Sequence, residues 1–408
     1  MSQTLHKHMI RIAGILLLLA TAGCVTLLDE SQKPHFVELA IEIEVPGAGE
    51  ATKANVAPTE EEAAVHDVQV WAFSHHPATS TVGDSETTIT QGSMTFSETA
   101  TTGLYEITLL ISDADVKNHP KLDFYVLVNG ASLGVTIPDD VTRGQLKELK
   151  FGKTADQVDT FGPQALTSVV PATGLPFTCF YNNGGEGFDI SFLLDKSLSK
   201  QEIAEKYIPT LHLSRAVSRL RFLFSRSSAL THVAVTNVTV QEFPTLTYVF
   251  PRETGSGIAL PGATPTYENL TLAGTTEAPY LNTADIVAST NPLRFRRIST
   301  VVSKGQVKSP SQMDEAEYEN FLLKELKDGN LTQRVFYLRE TNQPLQGTIT
   351  FSFAGTEGHT ASFSMDATGN FPRNQTCTVY AYFVGEVMRF QVLDSEWTTA
   401  ITPSHTFN

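Results

Sequence analysis

The sequence predicts a mostly β protein made of two β-sandwich domains with few short helices. Short stretches in which apolar and polar residues alternate recur along the chain, separated by Gly, Pro, Asn and Asp. This pattern is typical of sandwiches and barrels. At 408 residues the chain exceeds one hydrophobic core of ordinary size, so two domains are expected. We place them at residues 54–226 and 227–408, because the apolar run LRFLF gives way there to the polar run SRSSAL.

The first 23 residues are predicted to be a lipoprotein signal peptide. Lys7 and Arg11 supply a positive start, and residues 12–20 form an apolar segment that is shorter than a membrane-spanning helix needs to be. The small residues before Cys24 resemble the lipobox of bacterial lipoproteins, although Thr21 stands where that box usually has leucine. We therefore expect export, cleavage before Cys24 and acylation of this cysteine with palmitate.

The first strand after Cys24 is amphipathic and runs into a loose loop. Its apolar face consists of Val37, Leu39, Ile41, Ile43 and Val45. Glutamates lie between them, as expected of a strand with one buried and one solvated face. The loop Pro-Gly-Ala-Gly-Glu-Ala-Thr-Lys follows, and Lys53 is the only lysine or arginine between Val37 and Val65. A protease that cuts after basic residues would therefore find one bond here, between Lys53 and Ala54.

Further strands are predicted along the rest of the chain. The stretch from Val65 to Phe73 alternates, and a later apolar run ends in the Asn-Gly turn signal at residues 129–130. Close to the end, Met388, Phe390 and Val392 form one face of a late strand. Helices are few, and residues 313–326 predict one of them because acids occupy the first turn and a lysine lies toward the end.

Three polar clusters are interpreted as solvated surface rather than as sites. They are the pair His75-His76, the acids Glu60 to Glu62, and the arginines Arg215, Arg219 and Arg221. Adjacent histidines point in different directions, and the acids lack the spacing of a calcium loop. The arginines share one parity along a strand whose other parity is apolar, which predicts a solvated face.

Composition and motifs argue against several functions. The net charge of −15 and the pI near 5.2 exclude the basic surface that a nucleic-acid-binding protein needs. The sequence has no nucleophile elbow, zinc-protease helix, phosphate loop or dinucleotide fingerprint. We therefore expect no catalytic residues, no metal and no cofactor. Cys179 and Cys377 could form one bridge, or they could be buried free thiols in different cores.

Several stretches resemble the fimbrillin family, the subunits of type V pili in Bacteroidetes. The signal peptide with its lipobox cysteine is followed by an early strand, by Thr52-Lys53-Ala54, by an acidic stretch and by the strand VHDVQVWAF. FYVLVNGAS, LSRAVSRLRF, FPRNQTCTVYAYF and MRFQVLDSEW are similar to later strands of the family. LPFTC keeps only the Leu-Pro of a family segment. The likeness is loose at each motif and spread over most of the chain.

The resemblance implies a fold and a mode of assembly. Family members are transthyretin-like sandwiches, exported as outer-membrane lipoproteins and then found in a cell-surface fimbrium. A trypsin-like surface protease cuts after the first strand, which would make residues 24–53 a propeptide with a removable strand. A strand of a neighbouring fimbrial subunit then fills the gap, and Met388, Phe390 and Val392 mark the candidate donor strand here. Lys53 replaces the arginine that is usual in the family, so a protease with broader trypsin-like specificity would be required.

Two alternatives remain. The chain could be a fimbrial anchor or tip subunit that retains its N-terminal strand, and sequence does not separate these from a stalk subunit. It could also be a glycan-binding surface lipoprotein, which would need exposed aromatic side chains. Trp71 and Trp397 are the only tryptophans, and their positions favour packing over such a platform.

Overall fold

The computed structural model describes residues 35–45, 60–77, 80–93, 97–98, 103–135, 137–138, 140–153, 160–162, 170–199, 201–203, 207–254, 257–275, 278–289, 315–353, 356–364, 370–384 and 387–396. The earlier strands are β1 (Phe36–Glu44), β2 (Val68–Ser74), β3 (Thr90–Ser93), β4 (Ser97–Glu98), β5 (Leu104–Ser112), β6 (Lys121–Val128), β7 (Lys150–Gly152), β8 (Phe177–Tyr181), β9 (Phe188–Asp189), β10 (Thr210–His212) and β11 (Ser214–Arg215).

The later strands follow from residue 218 onward. They are β12 (Ser218–Ser227), β13 (Val233–Pro244), β14 (Leu246–Tyr248), β15 (Glu253–Thr254), β16 (Gly257–Ile258), β17 (Tyr267–Ala273), β18 (Ala288–Ser289), β19 (Thr332–Leu338), β20 (Gln346–Phe353), β21 (Thr356–Ser364), β22 (Gln375–Val384) and β23 (Val387–Glu396). The α-helices are α1 (Glu60–Ala63), α2 (Asp113–Asn118), α3 (Arg143–Lys147) and α4 (Glu315–Lys327). Short 3-10 helices lie at Gly130–Leu133, Asn183–Gly185 and Ser191–Leu194.

The first hydrophobic core is formed by two sheets of the N-terminal half. One sheet has the order β10-β1-β5-β4, and the other has the order β11-β8-β6-β2-β3, with β9 beside β6. Alternate residues of β1 and β5 point into this core, including Ile41 and Ile107. In β6 every residue from Leu122 to Val128 is buried, so this strand is covered on both faces.

The second core is formed by two sheets of the C-terminal half. One has the order β18-β12-β22-β23, with β19 also paired to β12, and the other has the order β17-β13-β20-β21. Leu220 and Phe222 of β12 pack into this core. Tyr318 and Leu322 of α4 pack with Tyr380 in a third, smaller cluster. The first of these sheets is therefore covered by strands on one face and by α4 on the other.

The chain passes from the first pair of sheets to the second over two residues. Arg215 ends β11, which pairs with β8, and Ser218 begins β12, which pairs with β19 and β22. This crossing, at residues 216–217, lies about ten residues before the predicted division at 226/227. The two halves also share contacts, because β7 pairs with β14 and because Val249 and Tyr337 pack into the first core. The mostly β prediction is confirmed, and the division into two sandwich domains stays a prediction.

Two further sequence questions are answered by the described residues. Cys179 and Cys377 are both buried and form no disulfide bond with each other, and they lie in the first and second core respectively. Residues Glu315–Lys327 are helical, as the pattern over 313–326 predicts. Among the helices of the described ranges, none is long and apolar enough to cross a membrane.

Candidate functional site: the first strand and the segment after it

Strand β1 lies inside its sheet rather than at the edge. It pairs antiparallel with β5 over all nine residues, from Phe36 opposite Ser112 to Glu44 opposite Leu104. It also pairs in parallel with β10 over its last three residues, 42–44. If β1 left, backbone N–H and C=O groups on both neighbours would lose their partners, and such groups are a template for another extended chain.

The inner face of β1 is fully packed. Leu39, Ile41, Ile43 and Val45 are between 0% and 3% exposed, and Val37 is half-buried at the margin of the same core. Burying one such aliphatic side chain stabilises a fold by about 1.5–3 kcal/mol. The five residues of the predicted apolar face therefore anchor β1 firmly, and its loss would open an apolar groove.

The outer face of β1 makes side-chain contacts on the β10 side. Glu44 Oε2 lies 2.7 Å from His212 Nδ1, and the Thr210 hydroxyl donates to Glu42 Oε2 at 3.0 Å. On the other side Glu42 stands opposite Glu106 of β5, which is exposed. Like charges directly opposite each other on neighbouring strands are destabilising.

Side-chain contacts of Glu62 fix the chain nine residues after Lys53. Glu62 of α1 is 2% exposed, and its two carboxylate oxygens accept hydrogen bonds from Arg219 Nη1 at 2.9 and 2.8 Å. The Tyr337 hydroxyl donates to Glu62 Oε1 at 2.7 Å. Burial, followed by the Glu62 charge, raises the pKa of Tyr337. The interpretation of this acidic stretch as solvated is therefore wrong at Glu62, while Glu61 is exposed.

Asn129 holds the same segment from the other side. Its Nδ2 donates to the carbonyl of Ala64 at 2.8 Å, and its Oδ1 accepts from the amide of His66 at 2.8 Å. Asn129 has φ 56°, in the left-handed region, which asparagine tolerates better than most residues. The Asn-Gly signal in the sequence marks this position, but the sequence gives no sign of its distant partners.

The arginines predicted to form a solvated face are buried. Arg215, Arg219 and Arg221 are 0%, 1% and 3% exposed. Arg221 Nη1 lies 3.4 Å from Glu319 of α4, and burial lowers the pKa of Arg215 and Arg221. The parity argument correctly separates Arg219 and Arg221 from the apolar face of β12, whereas Arg215 lies in β11 of the other sheet. The prediction that the other face of β12 is solvated is wrong, because α1 and α4 supply the carboxylates of Glu62 and Glu319 that cover it.

The histidine pair is likewise part of a network rather than free surface. His75 Nδ1 lies 2.7 Å from Asp123 Oδ1, and Arg143 Nη2 lies 3.2 Å from Asp123 Oδ2. His76 Nε2 lies 3.1 Å from Glu86. Asp123 is fully buried, and desolvation raises its pKa although His75 and Arg143 oppose this. These bonds hold the loop after β2 against the sheet.

The predicted donor strand forms part of its own sheet. All ten residues of β23 pair with β22. Met388 packs into the second core, and Leu393 packs under α4. The side chains of Phe390 and Val392 lie outside the described part of the structure, as do the whole residues Cys24, Lys53 and Ala54.

The comparisons with known proteins give structural neighbours only. No protein-family model matches the chain, and no curated protein matches it. The fold is similar to a candidate cell adhesion protein of Parabacteroides distasonis, with 13% identity, a TM-score of 0.46, and coverage of 90% of this chain and 98% of that one.

Two fimbrial proteins of Porphyromonas gingivalis are also among the neighbours. The C-terminally truncated tip fimbrial protein Mfa3 is 10% identical with a TM-score of 0.43, and the match covers 89% of this chain and 100% of that one. The fimbrial anchor protein Mfa2 is 8% identical with a TM-score of 0.36, and the match covers 88% of this chain and 98% of that one.

Proposed function

We propose that the chain is a structural subunit of a type V fimbrium, or pilus, that assembles by protease-triggered strand exchange and supports adhesion. The observation that carries the proposal is the position of β1. It is an interior strand with a buried apolar face, and it is joined to the rest of the chain through the segment that contains Lys53. Such a strand can be replaced by another of the same pattern without changing the remaining sheet.

The steps follow from that position. The precursor is exported and anchored to the outer membrane through a lipid on Cys24. A trypsin-like surface protease cuts between Lys53 and Ala54, which detaches residues 24–53 from the remaining chain. The gap between β5 and β10 then takes a strand from another fimbrial subunit. In this role the protein has no enzymatic activity and uses no cofactor.

The contacts of Glu62 support this order of events. Glu62 lies nine residues after Lys53 and is held by Arg219 and Tyr337. A new chain end at Ala54 would therefore be tied down within a short distance. Loss of β1 would leave β2 in position, because β2 begins at Val68, after the residue that Arg219 and Tyr337 hold.

A second candidate is an anchor or tip subunit that keeps β1. The complete pairing of β1 with β5 favours it, because an uncut chain needs no other strand to complete the sheet. The glycan-binding alternative receives no such support. Trp71 is 4% exposed in the first core, so it offers no aromatic platform, and Trp397 lies outside the described residues.

The test is the intact mass and N-terminal sequence of the protein isolated from native cells, with a Lys53→Gln variant beside it. We expect a mature start at Ala54 without lipid in assembled fimbriae, and an uncut, unassembled Lys53→Gln chain. Lys196→Gln, at an exposed lysine, is the matched control and should be cut normally. An assembled form with a lipidated Cys24 and an intact Lys53 would exclude the stalk role and favour an anchor.

A further inference from the structure

We propose that the gap left by β1 takes an extended segment of a different subunit that carries a carboxylate at the place of Glu44, and that His212 binds this carboxylate. The inference rests on the proposed function, and it adds the chemistry by which the incoming segment is selected. It is argued from the contacts that β1 itself makes.

Most of the β1 interface does not distinguish one strand from another. The ladder to β5 uses backbone groups that every residue except proline possesses. The inner face, at Leu39, Ile41 and Ile43, selects apolar side chains by size. Selection by charge must therefore come from the outer face, where the neighbours on β5 and β10 differ from place to place.

The place of Glu44 favours a carboxylate. His212 of β10 lies 2.7 Å from Glu44 on one side, and Leu104 of β5 stands opposite on the other. No acid of β5 stands directly opposite this place, and the contact with the His212 imidazole favours a carboxylate there. Glu44 and His212 side chains are 42% and 38% exposed, which keeps the pair weak enough to exchange.

The place of Glu42 favours a neutral acceptor instead. Thr210 donates to the side chain there at 3.0 Å, but Glu106 stands directly opposite on β5. A carboxamide accepts from the Thr210 hydroxyl without facing a like charge. An incoming strand with Gln at this place and Glu at the next outer place would therefore fit better than β1 itself.

A second copy of this chain does not supply such a segment. Ten ladder pairs and the buried side chains of Met388 and Leu393 hold β23 in its own sheet. Placing the apolar face 388–392 against the core puts Gln391 or Leu393, depending on register, where Glu44 stands. The register that brings Asp394 to that place puts Gln391 where Ile41 packs and Arg389 where Leu39 packs. The register that brings Glu396 there puts Ser395 where Ile43 packs, and residues 397–408 contain no Asp or Glu.

The experiment measures exchange of labelled peptides into the full chain cut at Lys53. The probes are a peptide of residues 36–45, its Glu42→Gln and Glu44→Gln variants, and a peptide of residues 386–397. We expect the Glu44→Gln change to weaken binding about two- to fivefold, the range for an exposed side-chain contact of this kind. The Glu42→Gln peptide should bind at least as tightly as the unchanged β1 peptide.

Two protein variants test whether His212 causes the preference for Glu over Gln at the position of residue 44. His212→Ala should remove the preference for Glu over Gln at place 44, and His232→Ala, at an exposed histidine elsewhere, should preserve it. Equal binding of the β1 peptide and its Glu44→Gln variant, or a preference that survives His212→Ala, overturns the inference while leaving strand exchange intact. Tightest binding by the 386–397 peptide overturns it in favour of a second copy. If no peptide enters the cut chain, the inference and the proposed function both fail.

Discussion

Glu62→Gln is predicted to destabilise the protein far more than the same change one residue earlier. Glu62 accepts two hydrogen bonds from Arg219 and one from Tyr337, and its side chain is buried. The amide removes the negative charge and leaves the Arg219 guanidinium in the same buried position. Breaking a buried pair by removing one charge costs about 3–5 kcal/mol, whereas Glu61→Gln on the surface should cost less than about 0.5 kcal/mol.

The assay is urea unfolding followed by fluorescence and circular dichroism. Because the chain has two large cores, it can unfold in more than one transition. The decrease in unfolding free energy is expected in the transition that includes the first core. Hydrogen exchange adds a local readout, since amides 64–67 should lose protection in Glu62→Gln and keep it in Glu61→Gln. Equal unfolding free energies for the two variants, within about 1 kcal/mol, would refute the reasoning.

A double variant tests whether the destabilisation of Glu62→Gln comes from the Arg219 charge that this change leaves behind. In Glu62→Met/Arg219→Met both charges of the pair are replaced by apolar side chains, so neither of these two charges is left behind without the other. Such replacements are often neutral or stabilising relative to the intact buried pair. The double variant should therefore be more stable than Glu62→Gln, and a larger loss in the double variant would show that another interaction dominates.

Three further outcomes are expected. Ile41→Ala should cost about 2–5 kcal/mol of unfolding free energy, because Ile41 is fully buried; a loss under about 1 kcal/mol in calorimetry would argue against a tightly seated β1. Hydrogen bonds from Ser197 lower the pKa of Asp195, so the Asp195 carboxyl contributes stability above its ordinary pKa that is lost as pH falls through the lowered one. Ser197→Ala should raise that pKa toward 3.8 in an NMR titration, and an unchanged pKa would contradict the assignment. Glu319→Gln should destabilise the sheet under α4, because Arg221 and Thr378 both contact Glu319; hydrogen exchange of β12 unchanged from wild type would count against it.

The sequence predicted the parts of the site that depend on local pattern. The alternation from Val37 to Val45 places the same residues on one face as the structure does, because the period of two is a property of any strand. The mostly β fold follows from repeated patterns of this kind. These features need no knowledge of which strands are neighbours.

The sequence did not predict the partners that lie far away along the chain. Parity separates Arg219 from Leu220 but does not tell whether its face is solvated, and the answer depends on Glu62, 157 residues away. Asp123 offered a local signal, since it is an acid within an otherwise apolar run. A buried acid needs a partner, so Asp123 could have indicated that His75 or a nearby cation is not solvated.

The placement of β1 has a mechanical consequence. A pull along an occupant of this position acts perpendicular to the hydrogen bonds of nine ladder pairs with β5. These bonds are therefore loaded in shear and share the load instead of breaking one after another. On the other side, β10 continues through β11 into β12 within a few residues, and β12 lies between β19 and β22. A force applied at β10 is therefore transmitted to β12, inside the second sheet, through a connection of only a few residues.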